Sequence, residues 1–298
     1  MMKKSAVAAV VAAGTAAVAA ASVPYFHNQN TKLTASHYVF RSPKVKGALE
    51  GFRITQISDL HNKEFGTDNC RLMALTEAQL PDLLVITGDL MDSYHPDLDK
   101  ALDSAARLAR IAPCYYVTGN HEHRMTQERQ ESFYRGLEEA GVYLLRNEAV
   151  ELGMKTRSAA DEEFGEKTPL REPPSYFRLI GVDCQQGKTD TLQRLMLLRD
   201  KDELNILLSH KPHYAKYYRQ AGVDLVLAGH AHGGQWRLPG VGGLYAPGQG
   251  IFPKYTSGMY RLGDTVMCVS RGLGNSSFPL RIENNPELVT VILRGEKG

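Results

Sequence analysis

Five short polar clusters along the chain have the residue types of metal ligands. They are Asp59-Leu60-His61, Gly88-Asp89, Gly119-Asn120-His121-Glu122, His210, and Gly229-His230-Ala231-His232. Imidazole nitrogens suit borderline divalent cations, and carboxylate and amide oxygens favour the harder end of that range. No cysteine accompanies them, which argues against a closed structural zinc site. The donors Asp59, His61, Asp89, Asn120, His210, His230 and His232 outnumber the four that one tetrahedral ion needs. Two cations sharing one carboxylate is the economical arrangement, with Asp89 as the natural bridge. The glycines at 88, 119 and 229 are expected to let the backbone turn sharply where each ligand leaves its element.

Each cluster directly follows an apolar run. The runs are Phe52–Ser58, Leu83–Thr87, Cys114–Thr118, Asn205–Ser209 and Leu225–Ala228. Their β-forming composition and short length predict strands, several of them buried on both faces. Helices are predicted between them over Cys70–Gln79, Asp97–Ala109 and Thr126–Glu139, ending before Pro81, Pro113 and Gly141. That alternation predicts an α/β fold with crossover helices. In such folds, ligands bind outside the carboxyl ends of the strands, so the five clusters should converge on one rim.

Elsewhere the pattern changes. Residues 153–175 are polar and are expected to form an insertion, or alternatively a lid, between strands near Ala149–Leu152 and Tyr176–Val182. After His232 comes a Gly- and Pro-rich stretch. Strand-like runs follow at Met259–Leu262, Thr265–Ser270 and Leu288–Leu293, expected to form an antiparallel set closing one side.

The 298 residues are 43% hydrophobic, enough for one sizeable core, and carry no long-period repeat. A formal charge of +2 from 35 basic and 33 acidic residues leaves no global field for nucleic acid, so phosphate affinity must be local. The four cysteines, Cys70, Cys114, Cys184 and Cys268, form no C-x-x-C pair and do not read as a disulfide framework. Cys114 and Cys268 read as buried thiols. Residues 1–30 open with Met1-Met2-Lys3-Lys4 and continue as an uncharged Ala/Val run ending near Pro24 and His27–Asn30. This is the pattern of a signal peptide or membrane anchor. It implies a catalytic domain over residues 31–298 placed outside the cytoplasm, exported or membrane-anchored.

Taken together, the five clusters resemble the full motif set of the calcineurin-like metallophosphoesterases, over about Phe52–Leu293. His230-Ala231-His232-Gly233-Gly234-Gln235 and Ser270-Arg271-Gly272-Leu273-Gly274 resemble the bacterial exported or membrane-associated phosphodiesterase branch. The resemblance implies a sandwich of two mixed sheets flanked by helices, with the metals at the carboxyl ends of strands. It implies one ion on Asp59, His61 and His232, another on Asn120, His210 and His230, and Asp89 between them. The ions would be Mn, Zn, Fe or Co. His121 matches the family's catalytic histidine, which binds no metal, and Glu122 could orient a histidine. Purple acid phosphatases carry a tyrosine three residues after the Gly-Asp aspartate. Asp92 stands there instead, so no tyrosinate-iron site is expected.

The implied activity is hydrolysis of phosphate mono- or diesters by a bridging hydroxide, on a small or lipid-linked substrate of the cell envelope. Nucleotides or phosphoproteins are the alternative substrates, and a non-catalytic scaffold is the alternative role. Arg271, Arg281 and Lys254 could contact phosphate or pair with acidic residues of the late loops. Asp92 reads as a cap or an outer group, and His95, His123 and His213 as bystanders. The tyrosines at 214, 217 and 218 read as helix packing.

Overall fold

The computed structural model describes residues 20, 22–154, 175–275 and 278–296. The first of its two six-stranded mixed sheets begins with β2 (Arg53–Ile57), β3 (Leu83–Ile86), β4 (Cys114–Tyr116) and β5 (Val142–Leu144), all parallel. On the other side of β2 lies β16 (Glu287–Arg294), antiparallel to it, and then β1 (Thr34–Arg41) at the edge. The second sheet has a parallel centre of β7 (Ser175–Gly181), β8 (Leu204–Ser209), β9 (Leu225–Ala228) and β15 (Thr265–Val269). Antiparallel edges flank it: β6 (Glu148–Met154) against β7 and β14 (Gly258–Leu262) against β15.

The sheets pack face to face, Ile54, Val85 and Val117 meeting a common core with Leu179, Ile206 and Leu227. Helices α2 (Cys70–Glu77), α3 (Leu98–Ala109) and α4 (Gln127–Glu139) cover the outer face of the first sheet through Leu72, Leu108 and Phe133. Helices α5 (Lys188–Leu198) and α6 (Ala215–Ala221) cover the second through Leu195 and Tyr218. Strands between two layers are therefore largely apolar on both faces. This is why β3, β8 and β9 are continuous buried runs rather than alternating ones. Helix ends follow local chemistry: Asp97 caps α3 by accepting from the Lys100 N–H at 3.0 Å. Gly222, at φ 69°, closes α6.

One expectation is corrected. The late strands do not form one antiparallel set: β15 joins the second sheet parallel to β9, whereas β16 enters the first sheet between β1 and β2. Burial on both faces explains the placement of β16, since Glu287 to Val291 are all buried and only a central position covers both sides. Residues 22–31, which include the end of the stretch read as a leader, form a helix, α1, through Pro24. It rests on the body, with Tyr25 donating to Glu283 at 2.9 Å and the Asn284 N–H to the buried Gln29 at 3.3 Å. The rest of the leader, residues 1–19 and 21, lies outside the described residues, as does most of the expected insertion, 155–174. Among the described residues no helix is long and apolar enough to cross a membrane.

Candidate metal centre

The carboxyl ends of five strands meet where the two sheets adjoin. β2 delivers Asp59 and His61, β3 Asp89, and β4 Asn120 and His121; β8 delivers His210, and β9 His230 and His232. The backbone that presents them is unusual. Asp59, His61, Asp89, His230 and His232 all have left-handed φ, between 45° and 65°. Such conformations cost about 1–3 kcal/mol each for residues with a Cβ and cluster at functional sites. The glycines contribute differently from the sequence expectation. Gly88 does turn, at φ 87°. Gly119 and Gly229 are needed for close approach: a Cβ at Gly119 would strike the Asp89 carboxylate, and one at Gly229 the Ser58 hydroxyl and Asp59.

Two acceptor-rich groups result. In the first, His232 Nε2 is 3.3 Å from Asp59 Oδ1 and 3.3 Å from His61 Nε2, which is 3.8 Å from Asp89 Oδ2. In the second, His210 Nε2 is 3.2 Å from the same Asp89 oxygen, 3.1 Å from Asn120 Oδ1 and 3.0 Å from His230 Nδ1. His210 Nδ1 donates to the Thr87 carbonyl at 2.7 Å, which leaves a lone pair on Nε2 aimed into the group. Lone pairs and carboxylate oxygens converging in a buried space repel one another unless a positive charge lies among them. The donor set therefore fits divalent cations.

The titration of these groups points the same way. Burial pushes His61 down to about 4 and holds His230 and His232 well below the usual imidazole range, as metal-binding neutral rings require. Burial also raises the Asp59 carboxyl to about 6, with repulsion from Asp89 adding to it. For His210 burial opposes the charged form, but the Asp89 carboxylate outweighs it and raises the ring to about 9. Asp89 is correspondingly held well below its usual value, against its own burial. The pocket demands positive charge at this point. Outer contacts fix the carboxylates: Asp59 accepts from the Ser58 hydroxyl at 2.5 Å and the His230 N–H at 3.0 Å, and Asp89 from the His121 N–H at 2.8 Å.

His121 stands beside this centre, its ring 4.4 Å from that of His61. The Ser93 N–H donates to His121 Nδ1 at 3.0 Å, with Asp92 Oδ1 3.3 Å away, so the neutral ring carries its proton on Nε2, near Arg124. Ser93 is thus a partner that sequence reasoning missed, and the Asp92 carboxylate lies beside the ring, where its charge favours the protonated form against the effect of burial. Glu122 orients no histidine. Fully buried, it accepts from the backbone N–H groups of Asp89, Leu90 and Gly119 at 3.1, 3.1 and 2.7 Å, tying the β3 and β4 loops together.

The centre opens into two cavities. One, about 390 Å³, is lined by Asn120, His121, Arg124, Lys211, His213 and Tyr245, among others; the second, about 620 Å³, lies past His61 and Asp92 along Lys63, Tyr94 and Asn275. Its Lys63 is pushed down to about 7 by burial, and its Nζ has no hydrogen-bond partner among the described residues. These cations line the two cavities, whereas the arginines singled out from the sequence turn to the backbone and to Glu287. Arg281 is buried and donates to the carbonyls of Arg271, Gly272 and Asn284, each at 3.1 Å, and of Gly274. Arg271 faces Glu287 at 3.5 Å, and Lys254 lies over the Tyr255 ring. His123 is a structural group, 2.6 Å from Asp183, and His95 is an exposed neighbour of Asp92. His213, read as a bystander, lines the smaller cavity. All four cysteines are free thiols, and Cys114 and Cys268 are buried as expected.

Residues 52–234 match the model of the calcineurin-like phosphoesterase family. This chain belongs to that family. It is 33% identical to the metallophosphoesterase YkuE of Bacillus subtilis over 272 residues, covering 88% of this chain and 86% of YkuE. It is 28% identical to the phosphodiesterase YaeI of Escherichia coli, covering 81% and 82% of the two chains. Among solved structures, TT1561 of Thermus thermophilus aligns with 75% of this chain and 90% of its own, at 13% identity and a TM-score of 0.47. As a calcineurin-like phosphoesterase, this chain is a phosphoric ester hydrolase, and the family uses divalent metals.

Proposed function

We propose that this phosphoesterase cleaves phosphodiesters with two divalent cations, one held by Asp59, His61 and His232, the other by Asn120, His210 and His230, with Asp89 shared. The observation that carries this reading is the single Asp89 oxygen lying 3.8 Å from His61 Nε2 and 3.2 Å from His210 Nε2. When bound, such a pair would supply a water made acidic enough to attack near neutral pH and positive charge for the phosphoryl oxygens. The protein's own residues supply the rest. His121, with its proton on Nε2, is the group that donates to the leaving oxygen. Ser93 holds that ring in place, and Arg124 stands where it can neutralise phosphoryl charge.

A diester is favoured over a monoester because a phosphate at the centre would have a cavity on each side, one for each arm. The test is hydrolysis of bis- and mono-nitrophenyl phosphate after removal of metal and addition of Mn²⁺, Zn²⁺, Fe²⁺ or Co²⁺. Faster turnover of the diester supports the assignment. Faster turnover of the monoester, or turnover independent of metal, refutes it, and no turnover with any metal favours a scaffold.

The Ala/Val leader supports an exported or membrane-anchored placement, and a relative from Danio rerio is named as a transmembrane protein with a metallophosphoesterase domain. Cell fractionation tests this: recovery only in the cytoplasmic fraction would refute it.

A further inference from the structure

One face of the molecule exposes large apolar side chains in a way its buried core does not explain. Trp236, Leu238, Ile251, Phe252, Phe278 and Leu280 are 37–74% exposed. They sit on one connected block. The Leu244 N–H bonds to the Trp236 carbonyl at 2.9 Å, and the Phe252 N–H to that of Leu244 at 2.9 Å. The Trp236 indole N–H bonds to the Leu280 carbonyl at 3.0 Å, and its ring lies 5.4 Å from Phe278. The block borders the active site. Tyr245, 6.3 Å from Phe278, also lines the smaller cavity with Pro247 and Gly248. The apolar face therefore adjoins one entrance to the centre.

Two further observations say what covers it. The block is one-sided in charge: residues 225–263 contain no Asp or Glu, and Lys254 is exposed there two residues from Phe252, whereas Arg237 turns inward to the Gly233 carbonyl and the Thr256 hydroxyl. The leader helix α1 is fastened to the same block, through Tyr25 to Glu283 and Gln29 to Asn284. The residues that directly follow the uncharged Ala/Val run in the sequence thus lie against this block. Apolar aromatic tips with an exposed lysine and no acid among them are the chemistry that enters the interface of an anionic bilayer.

We propose that this face docks on an anionic lipid surface, so that the mouth of the site opens at the membrane. Trp236 and Phe278 sit at headgroup level, and Ile251 and Phe252 reach deepest. The docking is independent of which ester is cleaved.

The chain contains one tryptophan, Trp236, which makes it its own probe. The full-length chain is mixed with phosphatidylglycerol vesicles whose acyl chains carry bromine near the headgroup, and with unbrominated controls. The expected result is a blue shift of Trp236 emission together with quenching by the brominated lipid. A double variant, Ile251→Thr with Phe252→Asn, suits the local strand and the left-handed φ of 52° at position 252. It should still sediment with vesicles through the leader but lose the bromine quenching. Sedimentation of the wild-type chain without quenching would overturn the proposal, and so would failure to sediment. A blue shift appearing without vesicles and growing with protein concentration would assign the face to a second copy instead. Hydrolysis of a soluble nitrophenyl diester should be the same in both proteins, and its absence would bear on the catalytic reading alone.

Discussion

The motif rim, from Asp59 to His232, and the late loops, from Gly233 to Asn285, both bury polar groups around the same centre, but by opposite means. In the rim, side chains converge and the backbone is strained to present them, with five residues at left-handed φ. In the late loops, one side chain serves many backbone groups: Arg281 reaches the carbonyls of four residues from a fully buried position. The rim is thus built to hold an added charge. The loops are built around a charge the chain already carries. Removing a rim residue should therefore damage chemistry more than folding, whereas removing Arg281 should damage folding more than chemistry.

The sharpest test of this contrast is Asp89→Asn. The replacement keeps an oxygen for the His121 N–H but turns an amide toward the cation positions, where a donor repels metal. Metal analysis should show both ions lost and turnover undetectable. Retention of both ions with near-normal rates would break the bridging assignment.

His121→Ala comes next. Loss of the proton donor should lower turnover by about 10²–10⁴-fold, while metal content, read by elemental analysis, stays at the wild-type level. Loss of metal with the histidine would make it a ligand rather than an acid. The variant also separates the leaving group: a nitrophenolate ester needs little protonation and should lose less rate than an alkyl ester.

Arg281→Met probes the other side of the comparison. It leaves several buried carbonyls without donors, at about 1–3 kcal/mol for each unsatisfied group. Denaturant unfolding should show a loss of that order. Lys254→Met, on the exposed surface over Tyr255, should stay within about 0.5 kcal/mol. If Arg281→Met folded as stably as wild type but lost turnover, the arginine would belong to the substrate after all.

The same contrast explains how much was legible in the sequence. Each apolar run between two layers is continuous, and each ends in ligand-type residues, so β2, β3, β4, β8 and β9 and the convergence of their ends could be read from one-dimensional pattern. Strand β1 could not. It lies at a sheet edge and carries the mixed sequence Thr-Ala-Ser-His-Tyr-Val-Phe-Arg, without a run to mark it. Nor could the sheet that β16 would choose, because its burial on both faces says that it is central but not where. The residue types of Arg271, Arg281 and Lys254 match phosphate chemistry equally well whether they face the cavity or the carbonyls of a loop. Only distance separates those fates, and Arg124, Lys211 and Lys63, which do face the cavities, had no spacing to mark them. Glu122 was misread for the same reason: adjacency to His121 suggested a histidine partner, whereas its oxygens reach backward to backbone N–H groups of two loops.

The smallest expected effect tests the orientation of His121. Ser93 offers both its N–H and its hydroxyl to His121 Nδ1 at 3.0 Å, so Ser93→Ala removes only the weaker, rotatable partner. Asp92→Asn keeps the shape but removes the charge 3.3 Å from the same nitrogen. Outer contacts of this kind usually cost about 10–100-fold when lost outright. With the N–H still present, Ser93→Ala should cost only about threefold, and Asp92→Asn about tenfold. Both losses should appear in kcat with KM little changed, because the ring is already present and only its aim or its protonation is disturbed. Equal losses in the His121→Ala background would show that the two residues act elsewhere. Loss of additivity there is what their action through His121 requires.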